Sequence, residues 1–423
     1  MDLKLLRRDA HAMLDPTTRR NQNGWQVLDH LHCRALAAVR DHITGNGGGP
    51  NVHVDRSDAT AELVASVSAA AAVVVYGESG VGKSALALRG VAATAQAKPY
   101  NVQALCINLR HLPKLTIQFE HMLGSPLSTL LGELSAPQRV LIVDSADAAT
   151  EGLEEAFRYL VSAARDSTVK VVAVTSLDSQ QVVQDIATEH FGTDDVAVYG
   201  VKALTDSEID QIVERFPELS RLRSNPRSRK LLRRLVLADL FVRGRVRGVP
   251  LTDADAMREV WAGLVRRHEK GGRGSPFARD VALLRLAEFE LYGGDRLKVI
   301  SDIDPVALDG LCRDGLLRTS PYDASLIGPE FAHDEVRRYA VARLLLSGDT
   351  PASGLVRAGA PRWSLSAAQL ACQAWLQRRE TATNPFTGRL ATLQESFDTL
   401  VKNGHGARWG DVPGEALLAL AEP

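Results

Sequence analysis

The chain has 423 residues, 45% hydrophobic and 24% charged, which is ordinary globular usage, and at roughly 100–200 residues per domain it predicts two to four domains. Its 50 Lys+Arg offset 51 Asp+Glu for a net charge of -1, so no global field draws it to nucleic acid or an anionic membrane, and a nucleic-acid role needs a local patch. Cys33, Cys106, Cys312 and Cys372 match neither metal-ligand spacing nor a disulfide framework, Leu63 to Tyr76 falls short of a membrane span, and the N-terminus lacks a signal-peptide core, so the expectation is a soluble cytoplasmic protein.

Residues 1–44 carry helical spacing at Leu28, Leu31, Ala35, Leu36 and Val39. His30, His32 and Cys33 lie on this stretch but lack a fourth ligand and the usual spacing, so they read as scattered surface groups. Gly45 to Pro50 reads as a linker. From 51 to 215, β-branched apolar runs alternate with amphipathic stretches: Val73 to Tyr76, Ala104 to Ile107, Val140 to Val143, Val169 to Val174 and Val196 to Tyr199. Near-continuous apolar strands of this kind imply a buried parallel sheet covered by helices on both faces, an α/β fold.

Residues 216–274 read as a helical lid with Leu and Arg interleaved. Residues 275–350 then give a helix through Leu283, Leu286 and Phe289, a second from Pro305 to Cys312, short apolar pieces at Leu316-Leu317 and Leu326-Ile327, and a helix through Val336, Tyr339, Ala340 and Leu344. Helix, helix, small hairpin and helix is the outline of a winged-helix domain. Residues 351–423 read as loop and helix, with helices at Ala367 to Leu376, Leu390 to Leu400 and Glu415 to Ala421, an ending expected of the start of a longer helical array.

The chemistry sits after the first strand. Gly77, Glu78, Ser79, Gly80, Val81, Gly82, Lys83 and Ser84 match G-x-x-x-x-G-K-[ST] in full, between a strand and the helical stretch Ala85 to Ala93. In that context the glycines let consecutive backbone N–H groups turn onto phosphates, Lys83 adds a point charge, and the Ser84 hydroxyl can ligate Mg²⁺. Arg139 to Asp144 is a buried strand ending in an acid, which makes Asp144 the second Mg²⁺ residue. Asp147 is either the carboxylate that orients the attacking water or the N-cap of a helix from Ala148 to Ala164, with Glu151 as the fallback base. At the end of the fourth strand, the Thr175-Ser176 hydroxyls would face the γ-phosphate or start a turn.

Over residues 51–350 the chain resembles the STAND class of P-loop NTPases, the signal-transduction ATPases that include the NACHT and NB-ARC groups. Three further matches carry the resemblance. Val54-Asp55-Arg56-Ser57-Asp58 is similar to the hydrophobic-Gly-Arg-acid motif beside the nucleotide, with Asp55 in place of Gly. Asn225-Pro226, opening a helix Arg227 to Phe241, is similar to the Gly-x-Pro turn beside the adenine, although an N-cap with Pro at the first helical position explains the same residues. Phe331-Ala332-His333-Asp334 resembles the Met-His-Asp motif, whose His contacts the ADP phosphate and holds the protein closed; by itself it is also a surface His at a helix start. Leu141 to Ala148 is similar to actinobacterial ATP-binding proteins and antiviral STAND sensors, which implies a role in antiviral defence.

The resemblance implies a switch that binds ATP or ADP with Mg²⁺, hydrolyses slowly, changes domain packing and self-associates. A DNA-binding ATPase or transcription regulator is the alternative, and a small-molecule kinase fits less well because two helical modules follow the sheet. Arg221, Arg223, Arg227, Arg229, Lys230, Arg233, Arg234, Arg243, Arg245 and Arg247 form a basic cluster, but it lies outside the winged helix, whose second helix carries Asp304, Asp309 and Asp314 against Arg313. Nucleic acid is therefore not the expected partner. The cluster would pair with acids on the NTPase domain, act on a neighbour's nucleotide, or be solvated.

Overall fold

The computed structural model describes residues 21–45, 51–92, 94, 101–267, 272–319, 328–379 and 385–421. Most of the glycine-rich linker and the Leu326-Ile327 piece lie outside the described residues. The chain divides into two compact units, one from residues within Met1–Asp41 and His53–Ala203, the other from His42–Val52 and Leu204–Pro423. No described helix is long and apolar enough to cross a membrane.

The first unit is built on five parallel strands, β1 (Ala72–Tyr76), β2 (Val102–Asn108), β3 (Gln138–Asp144), β4 (Lys170–Val174) and β5 (Val196–Gly200), in the order β2-β3-β4-β1-β5. Strand periodicity divides the apolar runs between two faces. Val74, Leu105, Ile107, Leu141, Val143, Val171 and Ala173 pack with one core, and Val73, Val75, Cys106, Val140, Ile142, Val172 and Val174 with the other. The first core is closed by helices α1 (Gln22–Ala38), α3 (Thr116–Leu123), α4 (Leu127–Gly132), α5 (Glu154–Asp166) and α6 (Gln180–Phe191), and the second by α2 (Ser57–Ala69) and a wide-turn helical segment, Ala85–Val91. That is why β1 to β4 are stable without polar alternation, since both of their faces are covered, whereas the edge strand β5 is only partly buried and Val198 is exposed.

Two helix expectations change. The stretch after Asp144 is not one helix from Ala148 to Ala164 but a 3₁₀ turn, Ala146–Glu151, followed by α5 from Glu154, because Gly152 takes a left-handed φ of 97° between them. The stretch Arg227 to Phe241 is likewise two helices, α9 (Pro226–Leu232) and α10 (Leu235–Gly244), which belong to the second unit with α7 (Asp206–Arg215) and α8 (Ser220–Ser224).

The second unit continues with α11 (Asp253–Val260), α12 (Pro276–Tyr292), α13 (Arg296–Ser301), α14 (Pro305–Arg313), an antiparallel pair β6 (Leu317–Arg318) and β7 (Glu330–Phe331), and α15 (Asp334–Leu345). It ends in α16 (Pro351–Arg357), α17 (Leu365–Leu376), α18 (Phe386–Lys402) and α19 (Val412–Ala421). Asp314, at the end of α14, is 7% exposed and accepts from the guanidiniums of Arg267 (3.3 Å), Arg273 and Arg279 (2.5 Å), so this acid is a packing group rather than a surface charge.

Candidate nucleotide site

β1 ends where the chain must turn from strand into the segment at Ala85. Gly80 and Gly82 make the turn at φ of 81° and 94°, a left-handed backbone that a side chain bearing a Cβ adopts at a cost. The Lys83 ammonium lies along the same loop and donates to the carbonyls of Gly77 (2.9 Å) and Glu78 (2.7 Å). Arg56, at the start of α2, donates to the Val81 carbonyl (2.8 Å) and to the Lys202 carbonyl (2.6 Å). The predicted near-nucleotide arginine thus touches the loop's backbone and fastens it to the segment after β5.

Asp144 ends β3, one strand removed from β1, with β4 between them. Its two oxygens are both engaged. The Ser84 hydroxyl donates to Oδ1 (2.7 Å), and the Asn108 amide donates to Oδ2 (3.2 Å) and to the Ser145 hydroxyl (3.1 Å). The parallel register aligns Asn108 with Asp144, which is how an edge strand delivers a side chain to this carboxylate. Burial, with Asp144 adding to it, pushes the Cys106 thiol up to about 12, so that thiol is inert near neutral pH.

Asp147 caps no α-helix. It sits in the 3₁₀ turn, where Arg110 donates to its Oδ2 (2.6 Å) and also grips Glu151 through two contacts, one of them 2.8 Å. The two base candidates therefore share one guanidinium. Arg110 is itself placed by Asn108, whose Oδ1 accepts from the Arg110 N–H (3.0 Å). Asn108 and Arg110 were not singled out from the sequence, because what brings the end of β2 beside the end of β3 is a strand pairing that the folded sheet alone displays.

Thr175 follows β4. Its N–H donates to the Val75 carbonyl (2.9 Å), holding it beside the strand that feeds the loop. The residue is 1% exposed, and its hydroxyl has no hydrogen-bond partner among the described residues.

The remaining two candidates lie in the second unit. Pro226 is the first residue of α9, with the Asn225 side chain accepting from the N–H groups of Arg227 (3.0 Å) and Ser228 (3.2 Å), the capping arrangement its sequence also predicts. His333 is half-buried in the cap position of α15, where its carbonyl accepts from Val336 and Arg337 (3.1 Å each). The first unit thus gathers Gly77 to Ser84, Arg56, Asn108, Arg110, Asp144, Asp147 and Thr175 at the carboxyl edge of one sheet, where β1 and β4 are neighbours whose chain connections leave in different directions, the place where α/β sheets bind ligands. Ser84 and Asp144 offer adjacent oxygen donors of the hardness Mg²⁺ requires.

A glycine-rich phosphate loop after the first strand, with this strand order, is the P-loop NTPase fold. No protein-family model matches the chain, and no curated protein does. Among solved structures, the chain is similar to the ADP form of the ORC2 protein of Aeropyrum pernix at 15% identity, over 71% of this chain and 97% of that one, with a TM-score of 0.35. The ORC1 protein of Aeropyrum pernix, in complex with DNA, matches at 14% identity over 70% and 94%, with a TM-score of 0.36. A Walker-type ATPase of Pyrococcus abyssi matches at 13% identity over 68% and 95%, with a TM-score of 0.33.

Proposed function

We propose that this chain is a nucleotide-operated switch of the STAND type, which binds ATP and ADP with Mg²⁺ and hydrolyses ATP slowly. The observation that carries the reading is the 2.7 Å hydrogen bond from Ser84 to Asp144, because it joins the two oxygen groups that a phosphate-bound cation needs on either side of one site. In this reading the loop from Gly77 to Ser84 and the Lys83 ammonium take the phosphates. Ser84 and Asp144 hold Mg²⁺, which offsets phosphate charge when bound. Thr175 faces the γ-phosphate, and Asp147 orients the water.

Slow turnover follows from Arg110. Arg110 holds both Asp147 and Glu151, so neither carboxylate is free to turn toward an attacking water without giving up that contact. A switch tolerates that rate, since it acts through the different affinities of the nucleotide for its conformations. The STAND resemblance gives Pro226 and His333 the task of reading the nucleotide and makes self-association the output, with antiviral defence as the setting.

The test is the nucleotide content of the purified protein, released by denaturation and separated by ion exchange, for wild type, Lys83→Ala and His333→Ala. Retained ADP in wild type, lost in both variants, is the expected result. A His333→Ala protein that retains as much as wild type would remove the sensing role of His333, and a wild type without nucleotide would remove the switch.

A further inference from the structure

Four arginines of the basic cluster are paired with acids, and three others share one trough. Arg223 is paired with Asp210 (2.8 Å), Arg233 with Asp206 (2.8 Å), Arg234 with Asp253 (2.6 Å) and Arg243 with Asp239 (2.9 Å). Arg221, Arg245 and Arg247 have no ion-pair or hydrogen-bond partner for their guanidiniums among the described residues, are exposed, and line one trough of about 710 Å³ in the second unit. Arg221 comes from α8, and the other two from the loop after α10. Among the described residues lining the trough one is a carboxylate, Glu218, and the apolar surface includes Leu222 and Val246.

The loop is built to present these side chains. Arg245 closes α10 with a φ of 47°, the left-handed position that glycine adopts freely and an arginine only at a cost. Its neighbours are fixed: the Val246 N–H donates to the Phe241 carbonyl (3.2 Å), and the Gly248 N–H donates to Glu259 (3.3 Å). A strained arginine on a fixed loop, with two further unpaired guanidiniums on the same trough, is an arrangement whose worth to the folded chain is not visible in its internal contacts.

We propose that this trough binds the phosphodiester backbone of duplex nucleic acid. Planar guanidinium forks match phosphate oxygens, and several of them along an open trough suit a repeating anion better than a single one. Among the described residues no aromatic lines the trough, which therefore presents no stacking platform for unpaired bases; the contact is a backbone contact, blind to sequence. The near-neutral net charge conceals the site because Arg223, Arg233, Arg234 and Arg243 of the same cluster are paired with acids. The proposal stands apart from the nucleotide reading and survives its failure.

The experiment is fluorescence anisotropy of a labelled short DNA duplex of mixed sequence, titrated with the full chain between about 50 and about 200 mM KCl. Wild type should bind with an affinity that falls steeply with salt. The triple variant Arg221→Ala, Arg245→Ala, Arg247→Ala should bind at least about tenfold more weakly, with the slope of log affinity against log salt reduced by about 2.7. Arg245→Gly separates binding from folding, since it should weaken DNA binding while its melting temperature holds or rises. Arg223→Ala, which removes a paired arginine, should bind as wild type does. A wild type that ignores the duplex at low salt, or a triple variant that binds as wild type, overturns the proposal. So does displacement of the duplex by polyglutamate at the charge concentration at which competitor DNA displaces it, which would make the trough a site for acidic peptide.

Discussion

A buried hydroxyl with no partner is a cost to the folded chain, and Thr175 carries one, unpartnered among the described residues, at the carboxyl edge of the sheet. Replacing it with valine keeps the shape and removes the unsatisfied group, so Thr175→Val should melt at the same temperature or higher, by up to about 1 kcal/mol of stability. If the hydroxyl instead serves the γ-phosphate, ATP turnover in the same variant should fall roughly ten- to a hundredfold. Opposite signs in thermal unfolding and phosphate release are the expected pair; a lower melting temperature with full turnover would make Thr175 a packing residue. Arg110 tests the base in the other direction. Arg110→Gln releases Asp147 and Glu151 from their shared cation, so turnover should rise severalfold, and adding Asp147→Asn should abolish the gain.

At the scale of elements, the sheet shows what apolar patterning can and cannot specify. The five strands were legible because each is a near-continuous β-branched run, and Gly77 to Ser84 was legible because the glycines recur at the spacing the turn demands. The start of α5 was hidden by Gly152, whose left-handed φ breaks a stretch that otherwise reads as one helix. His32 was misread as surface for a similar reason: its role is set by a partner distant in sequence. β2 is an edge strand, α1 packs on it, and the Cys106 N–H donates to His32 Nδ1 (2.9 Å), covering part of an exposed strand edge. Burial lowers the His32 pKa below its ordinary 6.5, against a smaller opposing effect of Asp29. The unfolded chain therefore takes up the proton first, and the stability that neutral His32 contributes is lost as pH falls from above 6.5 toward the lowered folded value. Protonation also turns Nδ1 from acceptor to donor, facing another donor. Wild type should melt lower at a pH of about 5.5 than at about 7.5, and His32→Asn, whose amide oxygen can accept without titrating, should show a smaller difference. Equal pH dependence in the two proteins would place the effect elsewhere.

At the scale of the molecule, a switch requires that nucleotide bound by one unit change the free energy of the other. The second unit has its own internal lock against which this can be read. Glu335 on α15 lies 3.3 Å from Arg338 and 3.9 Å from Arg234, and Arg234 pairs with Asp253 at the start of α11, so helices far apart in sequence share one buried charge network. Periodicity marks each of these helices as amphipathic but cannot say which carboxylate meets which guanidinium, and the network is legible only once folded. Glu335→Gln leaves Arg234 and Arg338 short of a buried counter-charge and should cost the second unit about 3–5 kcal/mol, which separates its unfolding from that of the first in differential scanning calorimetry. In that background Mg·ADP at about 100 times its Kd should stabilise the unit that holds the phosphate loop by about 2.7 kcal/mol. If the chain is a switch, part of that gain must appear in the transition of the second unit as well, and His333→Ala should confine it to the first while Lys83→Ala abolishes it in both. Nucleotide that raises only the first transition, with His333 intact, would leave a P-loop protein whose second unit does not sense what the first has bound.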